Sequence, residues 1–187
     1  MIKPLFAFAL FGLLSATGGP AGAQSSGVEQ STCTTLQACY GLGGQAFNAR
    51  DYSAAVPPFA KGCEMGHGQS CFYAGEASKN AGDRPAARNF YRLACERTWE
   101  AGCLSYSRSL LDERGGPVDH KKAIEQLTDA CNEPGTNQAG ACQTLASAYS
   151  VGEYGLPLDN AKAKAIAEKS CDLGDGFGCL LAAQYED

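Results

Sequence analysis

The sequence contains no Cys-x-x-Cys, and its 187 residues include only two histidines, His67 and His120. A zinc centre or a metal-dependent hydrolase needs clustered nitrogen and sulfur ligands. Any metal site would therefore have to be assembled from distant cysteine pairs, and none is expected. No serine stands three residues before a lysine, and Ser-Asp-Asn and Lys-Thr-Gly are missing. That removes the nucleophile motif of the serine β-lactamases. Basic clusters are missing too: 15 basic residues face 20 acidic ones, for a formal charge of −5. Such a chain is a poor partner for nucleic acid or anionic membrane surfaces. No stretch approaches the roughly 20 apolar residues of a membrane span.

The one apolar run, Leu5 to Leu14, is short and lies near the N-terminus behind Lys3, ahead of Ala21-Gly22-Ala23. This arrangement reads as a secretory signal peptide over residues 1–23, with cleavage expected before Gln24. Without Lys3 the balance becomes 14 basic against 20 acidic residues. Residues 24–32 are polar and are expected to form a flexible arm. A periplasmic or secreted protein follows from this reading. All ten cysteines lie beyond the signal segment, an even number in an oxidising compartment, which predicts disulfides.

What is present in abundance is a repeat. The cysteines form five pairs: Cys33/Cys39, Cys63/Cys71, Cys95/Cys103, Cys131/Cys142 and Cys171/Cys179. Second members are spaced by 32, 32, 39 and 37 residues. Asp51, Asp83, Asp119 and Asp159 each precede an alanine by four residues and a cysteine by twelve. Aspartate is a favoured N-cap, and twelve residues make about three helical turns, so this unit predicts a short helix B. The second cysteine of each pair opens a helix A. It is preceded by a small residue (Ala38, Ser70, Gly102, Ala141, Gly178) and followed by another at +4 (Gly43, Gly75, Ser107, Ala146, Ala183). Those positions form a narrow stripe where another backbone can approach.

The expected fold is all-α: a solenoid of stacked antiparallel helix pairs over residues 33–187, about four and a half repeats, with a last A helix as a cap. Each cysteine pair would join the last turn of helix B to the first turn of the next helix A. Gly66 and Gly174 are the expected C-caps in those turns. Closing a loop of about nine residues removes roughly 2.5 kcal/mol of unfolded-chain entropy, so five bridges supply at most on the order of 10 kcal/mol. Redox-active thiols fit less well, because Glu64, Glu96 and Asp172 follow the helix B cysteines. Pro57 and Pro58 fall inside the first helix B, which is expected to kink or to begin late.

With these residues in hand the chain resembles the Sel-like repeats, relatives of the tetratricopeptide repeat. It is similar in its cysteines to the Hcp-type secreted bacterial proteins. The resemblance covers residues 33–187, and Cys33/Cys39 and Cys131/Cys142 depart from the usual cysteine spacing. It implies a scaffold that binds proteins or peptides, or alternatively a penicillin-binding protein or weak β-lactamase.

The residues themselves show no catalytic constellation and imply no cofactor. Gly41 to Ala46 matches a dinucleotide-binding glycine pattern, but no strand precedes it, and helix packing explains it better. His67 and His120 read as surface histidines, and Asp112-Glu113 as a solvated pair. Tyr40, Phe72, Leu104 and Leu180 recur after the second cysteines, either as inter-helix packing or as a groove lining. Glu76, Arg108 and Gln184 sit one residue past the small +4 position and would join such a groove. Glu76 and Arg108 are expected near each other at the surface, since charged side chains are rarely buried. The resulting expectation is a monomeric, exported, disulfide-stapled scaffold for a protein or peptide partner in the cell envelope or outside.

Overall fold

Each periodic aspartate starts a helix. In the computed structural model, which describes residues 33–185, the carboxylates of Asp51, Asp83, Asp119 and Asp159 accept from the amides of Ala54, Ala86, Lys122 and Lys162 at 2.9–3.1 Å. Each cap satisfies a first-turn donor and is worth about 1 kcal/mol. The resulting order is α1 (Leu36–Asn48), α2 (Tyr52–Glu64), α3 (Gly68–Asn80), α4 (Arg84–Glu96), α5 (Glu100–Ser109), α6 (His120–Asn132), α7 (Gln138–Val151), α8 (Asn160–Asp172) and α9 (Gly176–Ala183). A 3-10 turn at Glu113–Gly115 lies between α5 and α6. Odd-numbered helices are the A helices and even-numbered ones the B helices. Consecutive helices pack on each other, and α3, α5, α7 and α9 stack as a row. The expected signal peptide, the arm at 24–32 and the terminal Glu186-Asp187 lie outside the described residues.

Size matching between helices sets the pairing. The alanines four residues after each aspartate, Ala55, Ala87, Ala123 and Ala163, are all buried. Eight residues after the aspartates come Phe59, Tyr91, Leu127 and Ala167, also buried. Phe59, Tyr91 and Ala167 meet the small +4 positions of helix A. A Cβ on Gly43 would lie 2.7 Å from the Phe59 ring, and one on Gly75 2.5 Å from the Tyr91 ring. Where helix B offers only Ala167, helix A has Ala146, and the two share one apolar cluster. Glycine therefore appears where the opposing side chain is an aromatic ring.

All five expected disulfides are present: Cys33–Cys39, Cys63–Cys71, Cys95–Cys103, Cys131–Cys142 and Cys171–Cys179. No cysteine among the described residues is free. In the four B-to-A junctions the bridged Cα atoms are 4.4–4.7 Å apart. The residues before each pair of cysteines must be small for this approach. They are Gly62 and Ser70, Ala94 and Gly102, Ala130 and Ala141, Ser170 and Gly178. A Cβ on Gly62 would sit 2.5 Å from Ser70 Oγ, and one on Gly178 2.6 Å from Ser170 Oγ.

The position of the second cysteines corrects the expected start of helix A. Rather than opening their helices, Cys39, Cys71, Cys103 and Cys179 are each the fourth residue, and Cys142 is the fifth residue of α7. The reason is the cap. The amides of Cys39, Cys71, Cys103 and Cys179 donate to the carbonyls of the cap residues Thr35, His67, Trp99 and Asp175, closing the first turn ahead of the bridge. One full turn into the helix, the sulfurs are turned inward instead of lying at an exposed helix start. Cys39, Cys71 and Cys142 are completely buried, Cys63 and Cys131 nearly so, and Cys103 and Cys179 half-buried.

The first helix B corrects a further expectation. α2 begins on schedule behind its Asp51 cap, with Pro57 and Pro58 inside it. The carbonyls that lose their amide partners belong to Ser53 and Ala54. Both residues are exposed, so water satisfies those carbonyls and the helix does not need to start late.

Two measurements test this arrangement. The unfolded, unreduced protein should take up no thiol reagent, and digestion should return only the five pairings above; stoichiometric labelling would refute them. The turn residue three after the first cysteine is left-handed in Gly66 and Gly174 (φ +89° each) but also in Thr98 (φ +59°). A β-branched residue there is strained. Thr98→Gly should therefore raise unfolding free energy by about 0.5–1 kcal/mol in a urea melt.

Candidate functional site

A depression of about 270 Å³ opens where α3, α4 and α5 meet the long connection before α6. Its floor is built by the glycine-aromatic contact. The Tyr91 ring lies over Gly75, and its hydroxyl donates to Glu76 Oε1 at 2.6 Å. Burial, and then this hydrogen bond, push the Tyr91 hydroxyl well above its ordinary range, so it remains a donor at any physiological pH. Lys79, one turn along α3, donates to the other Glu76 oxygen at 2.6 Å.

The wall comes from α4. Arg84 Nη1 reaches Asp112 Oδ2 at 2.9 Å. Arg88, one turn later, is enclosed by the connection: its Nη1 donates to the Pro117 carbonyl at 2.6 Å and its Nη2 to the carbonyls of Asp112 (2.6 Å) and Ser109. Arg88 Nε is buried and finds no partner among the described residues. Three carbonyls on one guanidinium tie the 109–117 segment to α4. Asp112 also accepts from Arg114 at 2.8 Å, and this hydrogen bond, backed by the Arg84 charge, holds its carboxyl below the usual range.

Arg108 closes the far side and ties α5 to α7. Its Nε donates to Thr144 Oγ1 at 2.8 Å, and its Nη2 to the Gly140 carbonyl at 2.7 Å and Gln143 Oε1 at 3.0 Å.

The sequence-derived residues are thus distributed unevenly. Glu76 and Arg108 line the same depression on stacked A helices. Neither is a free surface charge: the Glu76 side chain is 21% exposed and serves a buried hydroxyl. Tyr40 and Phe72 lie elsewhere, as half-buried aromatic packing. Tyr40 meets Phe59, His67 and Tyr73 edge-on, and Phe72 meets Tyr73 and Tyr91. Leu104 packs beside the Leu127–Leu145 cluster. Leu180 is 67% exposed, with no helix B after α9 among the described residues to cover it. Gln184 is exposed beyond α9 and apart from the depression.

The bridged cysteines do not line this depression. Cys39, Cys71, Cys142 and Cys179 are staples inside the helix junctions rather than groups offered to a ligand, because each sulfur is already bonded and turned toward the packing. The Cys95–Cys103 bridge borders a second hollow of about 240 Å³ that it shares with Leu104 and Gln126.

Other expectations change as well. Asp112 is an ion-paired hub rather than a solvated acid. His67 bonds Ser70 Oγ through Nδ1 at 2.8 Å, and His120 lies edge-on to Tyr154, both half-buried. Among the described residues no group of three or more His, Cys, Asp or Glu is placed to hold a metal.

Sequence reasoning missed Arg84, Arg88 and Lys79. A signal for two of them existed. One and five residues after the aspartates, the first repeat has Tyr52 and Val56 where the second has Arg84 and Arg88. Val56 packs against the apolar core, so an in-phase arginine needed an acceptor.

The clamp is testable. Arg88→Met keeps the stem but leaves the Ser109, Asp112 and Pro117 carbonyls without this donor. It should destabilise the protein by about 1–3 kcal/mol and raise amide exchange selectively over residues 110–118. Unchanged exchange there would show that the segment is held by something else.

Comparison with known proteins fits this geometry. No protein-family model matches the chain. It is 26% identical over 133 residues to cytochrome c oxidase assembly factor 7A of Xenopus laevis, covering 66% of this chain and 56% of that protein. It is 27% identical over 152 residues to cytochrome c oxidase assembly factor 7 of Xenopus tropicalis, covering 73% and 64%. The chain thus spans less than two thirds of the length of these relatives. A sel1 repeat protein of Klebsiella pneumoniae superposes with a TM-score of 0.62 at 25% identity, covering 80% of this chain and 74% of that one. The all-helical, disulfide-stapled architecture is therefore an α-solenoid of stacked helix pairs, similar in fold to that sel1 repeat protein.

Proposed function

We propose that the chain is a binding scaffold for a protein or peptide and acts outside the reducing cytosol. The carrying observation is the cleft between α3, α4 and α5, an open depression lined by both signs of charge and by the hydroxyls of Ser105 and Ser109. A surface of this kind suits the mixed hydrogen-bonding groups of a peptide. Support comes also from the repeat architecture, which offers extended binding surfaces, and from relatives named as assembly factors. Ten cysteines all engaged in bridges are consistent with an oxidising compartment. Within that class we favour export to the periplasm or beyond, as a monomer, in line with the apolar segment Leu5–Leu14 and the likeness to Hcp-type proteins. Penicillin binding or weak β-lactam hydrolysis stands second, since no nucleophile with an adjacent base lines the cleft.

The test is a photo-crosslinking amino acid placed at Ser105, inside the cleft, or at Glu64, an exposed position at a stapled turn. In intact cells Ser105 should yield a discrete protein adduct by mass spectrometry and Glu64 should not. The reverse pattern would move the binding face elsewhere. Hydrolysis of a chromogenic cephalosporin that follows the folded protein through purification and survives chelation would put the enzyme reading first.

A further inference from the structure

The charge of the cleft opposes that of the chain around it, and this opposition narrows the kind of peptide. Four cations line it, Lys79, Arg84, Arg88 and Arg108, against two carboxylates, Glu76 and Asp112. The whole chain carries −5. Not all of this positive charge is spent. Arg88 is consumed by backbone carbonyls, but Arg84 commits only Nη1, and the Nη1 of Arg108 makes no bond among the described residues. Lys79 makes a single pair with Glu76 and its side chain is 40% exposed. Ser105 of α5 adds a hydroxyl.

We propose that the cleft takes the acidic side chains of a peptide segment, with a ligand carboxylate against Arg84 and Lys79. This rests on the scaffold reading above. A guanidinium with free donors on one edge matches a carboxylate in plane. The size favours a side chain or two, since about 270 Å³ falls below the range of whole small-molecule pockets. Glu76 and Asp112 in the lining disfavour a continuous polyanion, as does the net negative charge outside the cleft. A peptide carries amide donors for those two carboxylates alongside its own acids.

The probe is a short fluorescent peptide of alternating Gly and Glu, amidated at its C-terminus, with a Gly-Lys peptide, inorganic phosphate and phosphatidylglycerol vesicles as comparisons. Anisotropy should show the Gly-Glu peptide binding the disulfide-intact protein, weaker at higher salt, while the Gly-Lys peptide stays free. Lys79→Glu and Arg84→Gln should each weaken binding about fivefold, the size expected of a partly exposed charge pair. Lys61→Glu, at the stapled end of α2, should leave it unchanged. Thermal melts accompany each variant. If Arg84→Gln lowers the melting temperature by loosening Asp112, Lys79→Glu alone decides. Equal losses with Lys61→Glu would mean diffuse attraction and overturn the assignment. So would vesicle or phosphate binding with the same dependence on Lys79 and no peptide binding. If Ser105 crosslinks a partner in cells but the Gly-Glu peptide does not bind, acid recognition falls while the scaffold reading stands. If neither occurs, both fall.

Discussion

Everything in this fold follows from how closely helix B approaches the next helix A at the stapled turns. Bridged Cα atoms at 4.4–4.7 Å leave no room for large side chains on the flanking positions. Hence the small pairs Gly62/Ser70, Ala94/Gly102, Ala130/Ala141 and Ser170/Gly178. Each helix A must also fit the helix B that follows it. Gly43 and Gly75 lie beneath the rings of Phe59 and Tyr91, and Ala146 meets Ala167. The disulfide fixes the distance, and the small residues make it attainable.

This arrangement has an energetic consequence. Among the described residues the large fully buried side chains are Phe59 and Leu127; cysteines and serines come next, and alanine dominates the rest of the core. Alanine buries little area, so hydrophobic stabilisation per helix pair is modest. Each pair also touches only its neighbours, so no large common core makes up the difference. Length alone would allow a chain of this size to fold without bridges. A row of thin local cores does not share that margin, and bridges at every junction restrain the unfolded chain where burial is weakest.

Periodicity explains what was legible in the sequence. The Asp51, Asp83, Asp119 and Asp159 caps, the buried alanines four residues later and the helix B cysteines twelve residues later recur in register, and each has one physical role. Helix count and order followed from them. The start of helix A was less legible: Cys39, Cys71, Cys142 and Cys179 mark the end of its first turn, and the caps ahead of them share no residue type, as Thr35, His67, Asn137 and Asp175 show. The small residue before the first cysteine was regular, but its meaning needed the junction distance. Arg88 was not legible as a clamp, because its partners are main-chain carbonyls 21 to 29 residues away and carbonyls leave no mark on a sequence. Glu76 shows the limit of reasoning from charge: it accepts from a buried Tyr91 hydroxyl, which a rule about charged surfaces does not anticipate. Pro57 and Pro58 failed to delay α2 because their orphaned carbonyls face water.

The cleft arises where the repeat is irregular. Within the third unit, α5 and α6 are joined through a connection long enough to hold a 3-10 turn, whereas three residues join α1 to α2 and α3 to α4. A longer connection carries more backbone acceptors and would drift without a tether. Arg88 supplies one, in a position where the first repeat keeps Val56 for its core. Placing a guanidinium there exchanges apolar packing for three carbonyl contacts and brings positive charge beside Arg84. Because both terminal nitrogens of Arg88 are held by main-chain carbonyls, it acts as a fixed wall. The partly uncommitted Arg84, Lys79 and Arg108 then share the opening with Glu76 and Asp112. The connection that breaks the period is thus where backbone acceptors and positive charge gather around one opening.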